Sequence, residues 1–129
     1  MFPHDVTTLD EARRKTEKII DGLYAAMPGG GREATWTHRK IARREFLAFI
    51  RNRKPRSRDI RRALKTQLHY IERNLRNINE MAAVAGLSHL SREEYRDLLV
   101  IGEYVRQQRE IRETGELSIP GRIVGIWKP

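Results

Sequence analysis

Between Arg51 and Lys65 the chain carries Arg51, Arg53, Lys54, Arg56, Arg58, Arg61, Arg62 and Lys65, with Asp59 as the only opposing charge. Cations at that density have one natural chemistry, the binding of anions, and the preference for arginine narrows it further. A planar guanidinium presents paired donors that match a phosphate, which a lysine meets only as a point charge. The run belongs to a longer basic segment. From Gly31 to Asn77 fifteen Lys/Arg face four Asp/Glu, whereas residues 1–30 and 78–129 each carry one net negative charge. A near-neutral body with one intensely basic stretch is the pattern of a polyanion binder, with nucleic acid the commonest partner. The duller explanation is a solvated helix face that serves solubility. The candidate phosphate contacts are Arg39, Lys40, Arg43, Arg44, Arg51, Arg53, Lys54, Arg56, Arg58, Arg61, Arg62 and Lys65.

Other chemistry is hard to assemble. The chain has no cysteine, so disulfides, thiolate metal sites and a cysteine nucleophile are excluded. His4, His38, His69 and His89 fall in four separate segments, with no second ligand at helical or turn spacing. Pro28-Gly29-Gly30-Gly31-Arg32 is glycine-rich but lacks the Gly-Lys-Ser/Thr ending of a phosphate-binding loop, and it reads as a linker. Asp10, Glu11, Glu93 and Glu94 read as acids placed at helix starts, where the backbone dipole favours them. Asp5 is a single acid near the terminus. No nucleophile–base pair and no metal-binding carboxylate set emerges, so the expectation is a binding protein without bound metal or cofactor.

The elements that must carry the basic residues are helices. A chain of 129 residues with 39% hydrophobic and 33% charged residues suits one domain of amphipathic helices better than a compact α/β enzyme. No apolar run reaches the length of a membrane span, and the start lacks the order of a signal peptide, so a cytoplasmic or nucleoid location is expected. Thr8-Leu9-Asp10-Glu11 has the pattern of a capping box and sets the expected start of the first helix. Leu9, Ala12, Ile19, Ile20, Leu23, Tyr24 and Met27 would form its apolar side, and the glycines would end it.

A second helix is expected from near Thr37 to Arg51, with Ile41, Ala42, Phe46, Leu47, Phe49 and Ile50 as its apolar side and Pro55 beyond its end. Ser57 would cap the third, whose seam is the strongest periodic signal in the chain: Ile60, Leu64, Leu68, Ile71, Leu75, Ile78 and Ala82, closed by Gly86. Asn74, Asn77 and Asn79 would face solvent. Ser91-Arg92-Glu93-Glu94 is a second capping box, opening a fourth helix that buries Tyr95, Leu98, Leu99, Ile101, Tyr104, Val105 and Ile111 and stops at Gly115. The short link between helices three and four predicts an antiparallel hairpin. Tyr70, Tyr95 and Tyr104 are expected in the core. Trp36 either stacks on an unpaired base or, the favoured alternative, packs as a hydrophobic staple at the start of the second helix. The expected architecture is therefore all-α: a helical domain over 1–116 made of the hairpin and two N-terminal helices. A β-prone tail over 117–129 follows, in which Arg122–Trp127 would be a strand without a partner.

Taken in order, several segments resemble the middle of bacterial insertion-sequence transposases of the DDE type, whose catalytic core is RNase H-like. They are Pro3-His4-Asp5; Leu9-Asp10-Glu11-Ala12-Arg13-Arg14-Lys15-Thr16-Glu17; Arg53-Lys54-Pro55-Arg56; Gln67-Leu68-His69-Tyr70-Ile71-Glu72-Arg73-Asn74-Leu75; Leu90-Ser91; Tyr95-Arg96-Asp97-Leu98-Leu99-Val100-Ile101; and Arg122-Ile123-Val124. The resemblance spans almost the whole chain. It implies a helical stretch lying after the strand that bears the first catalytic aspartate and before the strands that lead to the second. The unpartnered strand would then re-enter the catalytic core. Transposases of this kind use three carboxylates to hold a divalent metal such as magnesium, and none of those carboxylates is carried over to a residue of this chain.

What the resemblance implies is a role. The segment would take part in DNA recombination by gripping transposon-end or target DNA through phosphates, alone, as a homo-oligomer, or with the remainder of the transposase. The residues alone leave two alternatives open, a small helical RNA-binding or ribosome-associated protein and a protein–protein interaction module. With no carboxylate set available, the purified chain is expected to leave supercoiled plasmid intact in magnesium or manganese. Nicking that disappears on mutating Asp5 would overturn that expectation.

Overall fold

The computed structural model describes residues 3–34, 36–86 and 90–114. Those residues form four helices: α1 (Pro3–Ala26), α2 (Arg39–Arg51), α3 (Ser57–Ala85) and α4 (Arg92–Thr114). There is no strand among them. The chain divides into two compact units, Met1–His89 with α1 to α3, and Leu90–Pro129 with α4. The expected helix stop at Gly115, the turn at 119–121 and the β-prone stretch 122–127 lie outside the described residues, as do Thr35 and most of the link over 86–90.

α1 begins earlier than its capping-box pattern implies. Pro3 occupies the first helical position, where its missing N–H costs nothing and its fixed φ is already helical, and Asp5 supplies the acid of the first turn. Thr8 and Glu11 therefore lie inside the helix, and Asp10 is no helix-start acid. The buried face of α1 is Val6, Leu9, Asp10, Arg13, Thr16, Glu17, Ile20 and Leu23, with Ala12 and Ile19 beside it. These positions repeat at three and four residues, so the stripe is helically regular but polar in the middle.

The chain leaves α1 through a turn that requires its glycines. Gly29 has φ +73°, and a Cβ on Gly30 would sit 1.6 Å from the carbonyl oxygen of Tyr24. Gly30 donates its N–H to Met27 at 3.0 Å. The stretch expected to be a linker is a specified turn. Trp36 then sets its ring edge-on to Tyr24 of α1, with centroids 4.9 Å apart, a contact with the first helix rather than a staple on the second.

α2 starts at Arg39, after His38 in the left-handed region with φ 54°. It buries Ala42 and Phe46, whereas Ile41 and Ile50 are about half exposed, so the apolar side is narrower than the sequence implied. α3 keeps its predicted seam whole: Ile60, Leu64, Leu68, Ile71, Leu75, Ile78 and Ala82 are all buried. Its start is capped by Asp59, whose carboxylate accepts the N–H of Arg56 at 2.9 Å, and Ser57 is the first helical residue rather than the cap. Gly86, with φ 93°, donates to Ala82 at 2.8 Å and ends it. α1 packs along α3, and α2 lies against both.

In the second unit the Ser91 capping box is formed as expected: Ser91 N–H donates to Glu94 and Glu94 N–H to Ser91 Oγ, both at 3.0 Å. Leu98, Ile101 and Val105 are buried, whereas Tyr95 and Leu99 are about half exposed. Arg106 is held by Glu103 and Glu110 on the same helix.

Truncating a buried leucine leaves a cavity as well as removing a transfer gain. Leu75→Ala is expected to cost about 2–5 kcal/mol, whereas Arg56→Ala, exposed at the start of α3, should stay within about 0.5 kcal/mol. Equilibrium denaturation of the two variants separates these outcomes.

Candidate nucleic-acid interface

The basic residues stand on a scaffold whose centre is a buried arginine. Arg13 is fully buried, and its guanidinium donates to Asp10 and Glu17 on its own helix and, through Nε at 2.8 Å, to Gln67 Oε1 on α3. Gln67 Nε2 in turn donates to the carbonyl of Ala42 on α2 at 3.1 Å. One α3 side chain thereby ties all three helices. One helical turn along α1, Thr16 Oγ1 accepts from Asn74 Nδ2 at 3.0 Å. Asn74 is buried by this bond and is not the solvated residue its type suggests. The cross-helix pairs 13–67 and 16–74 rise together, so α1 and α3 run in the same direction.

Asp10 is the counter-charge of this site. It is fully buried and accepts from Arg13, from Arg14 Nε at 3.1 Å and from Arg43 on α2 at 2.5 Å. A second carboxylate, Asp21, takes a two-pronged bond from Arg39, at 2.6 and 2.8 Å, and accepts the N–H of Ala34 at 3.0 Å. The Ala34 bond pins the turn before α2, and the Arg39–Asp21 bond raises the Arg39 pKa further above its ordinary value. Burial pushes the Glu17 carboxyl above the usual range against the pull of Arg13 and Arg39, with Asp10 adding to the rise. Tyr70 is also raised, by burial first and then by Glu45, to which its hydroxyl donates at 3.2 Å.

The twelve candidate contacts separate on this scaffold. Arg39 and Arg43 are partly buried and bound to Asp21 and Asp10, and Arg43 also lies over the Phe46 ring at 5.2 Å. The other ten are exposed: Lys40, Arg44 and Arg51 on α2; Arg53, Lys54 and Arg56 on the connection; Arg58, Arg61, Arg62 and Lys65 on α3. Those from Arg51 to Arg62 cover the end of α2, the proline-broken connection and the first turns of α3. Arg14 belongs with the exposed set through its half-exposed side chain, although the charge count placed it in a neutral segment. The signal that reveals it is its spacing from Asp10 on one helix face.

No group of three or more His, Asp or Glu among the described residues is arranged to hold a metal ion. No described helix is long and apolar enough to cross a membrane. No family model, curated protein or solved structure matches the chain.

Removing one partner of a buried ion pair strands the others. Asp10→Ala, which leaves Arg13 short of an acceptor, is expected to cost about 3–5 kcal/mol, whereas Glu11→Ala on the exposed side of the same turn should stay within about 0.5 kcal/mol. Paired urea titrations measure the difference. The raised pKa of Glu17 has its own signature. The folded chain holds this proton more tightly than the unfolded chain, so the associated stability is full below the unfolded pKa and is lost as pH rises through the folded one. Glu17→Gln should remove that component of the stability–pH profile; an unchanged profile would show that Glu17 does not carry it.

Proposed function

We propose that this chain is a non-catalytic helical segment of a DDE-type transposase that binds DNA through phosphate contacts and acts in the cytoplasm. The observation that carries the proposal is the unbroken run of exposed cations across the α2–α3 connection. Arg51, Arg53, Lys54, Arg56, Arg58, Arg61 and Arg62 are all exposed there, with Asp59 engaged in capping α3. Guanidinium groups spread over two helix ends suit a phosphodiester backbone, which offers charge at regular intervals and demands no base reading. The resemblance to the helical middle of insertion-sequence transposases supplies the context. In that context α3 and α4 form a hairpin, the tail after residue 116 returns to the catalytic core, and the metal-bound carboxylates belong to that core.

Each neutralised phosphate on duplex DNA contributes about 0.9 to the slope of log affinity against log salt. The native chain is therefore expected to bind a random-sequence duplex with a steep salt dependence, and Arg53→Ala/Lys54→Ala/Arg56→Ala to flatten it. A flat native response, or a triple variant with the native slope, would reduce the run to solubility charge. Tighter binding to structured RNA than to a duplex of equal length would favour an RNA partner instead.

A further inference from the structure

α1 and α2 leave a groove between them of about 610 Å³, and its walls are cationic. On α2 the lining positions Lys40, Arg44, Leu47 and Arg51 follow one another by four, three and four residues, which is a single helix face. A stripe at that spacing, turned toward a neighbouring helix, is where an amphipathic helix ordinarily places apolar side chains. α2 puts its apolar residues elsewhere, with Ala42 and Phe46 buried and Gln67 of α3 bonded at Ala42. To the groove α2 contributes this stripe of three cations and one leucine together with Arg39 and Arg43, which are bonded to Asp21 and Asp10 of α1. Across the groove stand Arg13, Arg14 and Glu17 of α1, with Glu33 in the intervening loop.

The carboxylates nearby do not neutralise it. Asp10 is shared by three guanidiniums and Asp21 is occupied by Arg39. Set against Glu17, Glu33, Asp10 and Asp21 are Arg13, Arg14, Arg39, Lys40, Arg43, Arg44 and Arg51, so the groove retains an excess of three positive charges. Asp10 and Glu17 hold Arg13, Asp21 holds Arg39 and Asp10 holds Arg43, so the walls that carry the exposed cations are tied to one another.

From this we infer that the α1–α2 groove is a second seat for a run of phosphates of one DNA strand, contacted by Arg14, Lys40, Arg44 and Arg51, with Arg43 and Arg39 as positioning residues. The inference rests on the DNA-binding reading above and adds a site and a residue, Arg14, to it. From Lys40 to Arg51 the stripe is about 16 Å long. Successive phosphates of one duplex strand lie roughly 3.4 Å apart along the axis, so a strand can engage the whole stripe. A single phosphate or pyrophosphate reaches only part of it.

The test is duplex binding across a salt series for the native chain, the groove variants Arg14→Gln/Arg44→Gln and Lys40→Gln/Arg44→Gln, and the control Arg76→Gln/Arg96→Gln. The control removes two exposed charges that do not line the groove. Each groove variant is expected to lose about 1.8 from the salt slope, at about 0.9 per contact, while the control keeps the native slope. The second groove variant leaves Asp10 and its partners intact, so it decides the matter if the first fails to fold. Groove variants with the native slope, or a control that loses as much as they do, would overturn the inference while leaving the DNA-binding reading standing. A native chain that binds no duplex would remove that reading itself. Inorganic pyrophosphate should compete only weakly with duplex. Displacement at equal phosphate concentration would overturn the assignment to a strand.

Discussion

An arginine has no neutral form available in a protein, so one that is buried must be answered on every side. Arg13 imposes that demand on the first unit, and the three helices are arranged to meet it. Asp10 and Glu17 come from the same face of α1, Gln67 from α3, and through Gln67 the backbone of α2 at Ala42. A slip of α3 along α1 would strand the guanidinium and separate Asn74 from Thr16 at once. Apolar contacts tolerate such slips far better than hydrogen bonds do, and a buried polar group without its partner costs about 1–3 kcal/mol. The network therefore fixes register, while Leu9, Ile20, Leu23, Leu68, Ile71 and Leu75 around it supply the burial that holds the helices together.

The same network sorts the basic residues by role. Arg13, Arg39 and Arg43 are wholly or partly buried and held by Asp10, Glu17 and Asp21, whereas the exposed cations of α1, α2 and α3 meet solvent. Arg39 and Arg43 belong to the first class through Asp21 and Asp10. Arg44, Arg51, Arg53 and Arg56 belong to the second. A total of charges along the sequence cannot make this distinction. It credits the segment from Gly31 to Asn77 with net +11, although part of that charge is answered by acids of α1. It also overlooks Arg14, whose own segment counts as neutral.

Much of the fold was legible because it follows period and caps. The α3 seam, its stop at Gly86, the start of α4 at Ser91 and the end of α2 at Arg51 each rest on local residue chemistry and are present as expected. What escaped was polar burial. The apolar spacing of α1 jumps from Ala12 to Ile19, and that gap is filled by Arg13, Thr16 and Glu17 in the same helical phase. Charged residues in phase with an apolar stripe were the available signal, yet their partners Gln67 and Asn74 lie more than fifty positions away. The pattern of Thr8 and Glu11 misled for a related reason. A capping box is a local motif, and Pro3 with Asp5 offered an earlier start.

Carboxylates of α1 hold Arg13, Arg39 and Arg43 in place, while in the proposed function the exposed arginines around them are the ones that meet phosphate. Arginine side-chain Nε–H signals, followed by heteronuclear NMR while a short duplex is added, test this division residue by residue. Arg14, Arg44, Arg51, Arg53 and Arg56 are expected to shift with added duplex, and these shifts to vanish at high salt. Arg13, fully buried and bonded to Gln67, should hold its position throughout. Shifts confined to Arg92 and Arg96 of α4, or a displaced Arg13 signal with the α2 arginines unmoved, would contradict it.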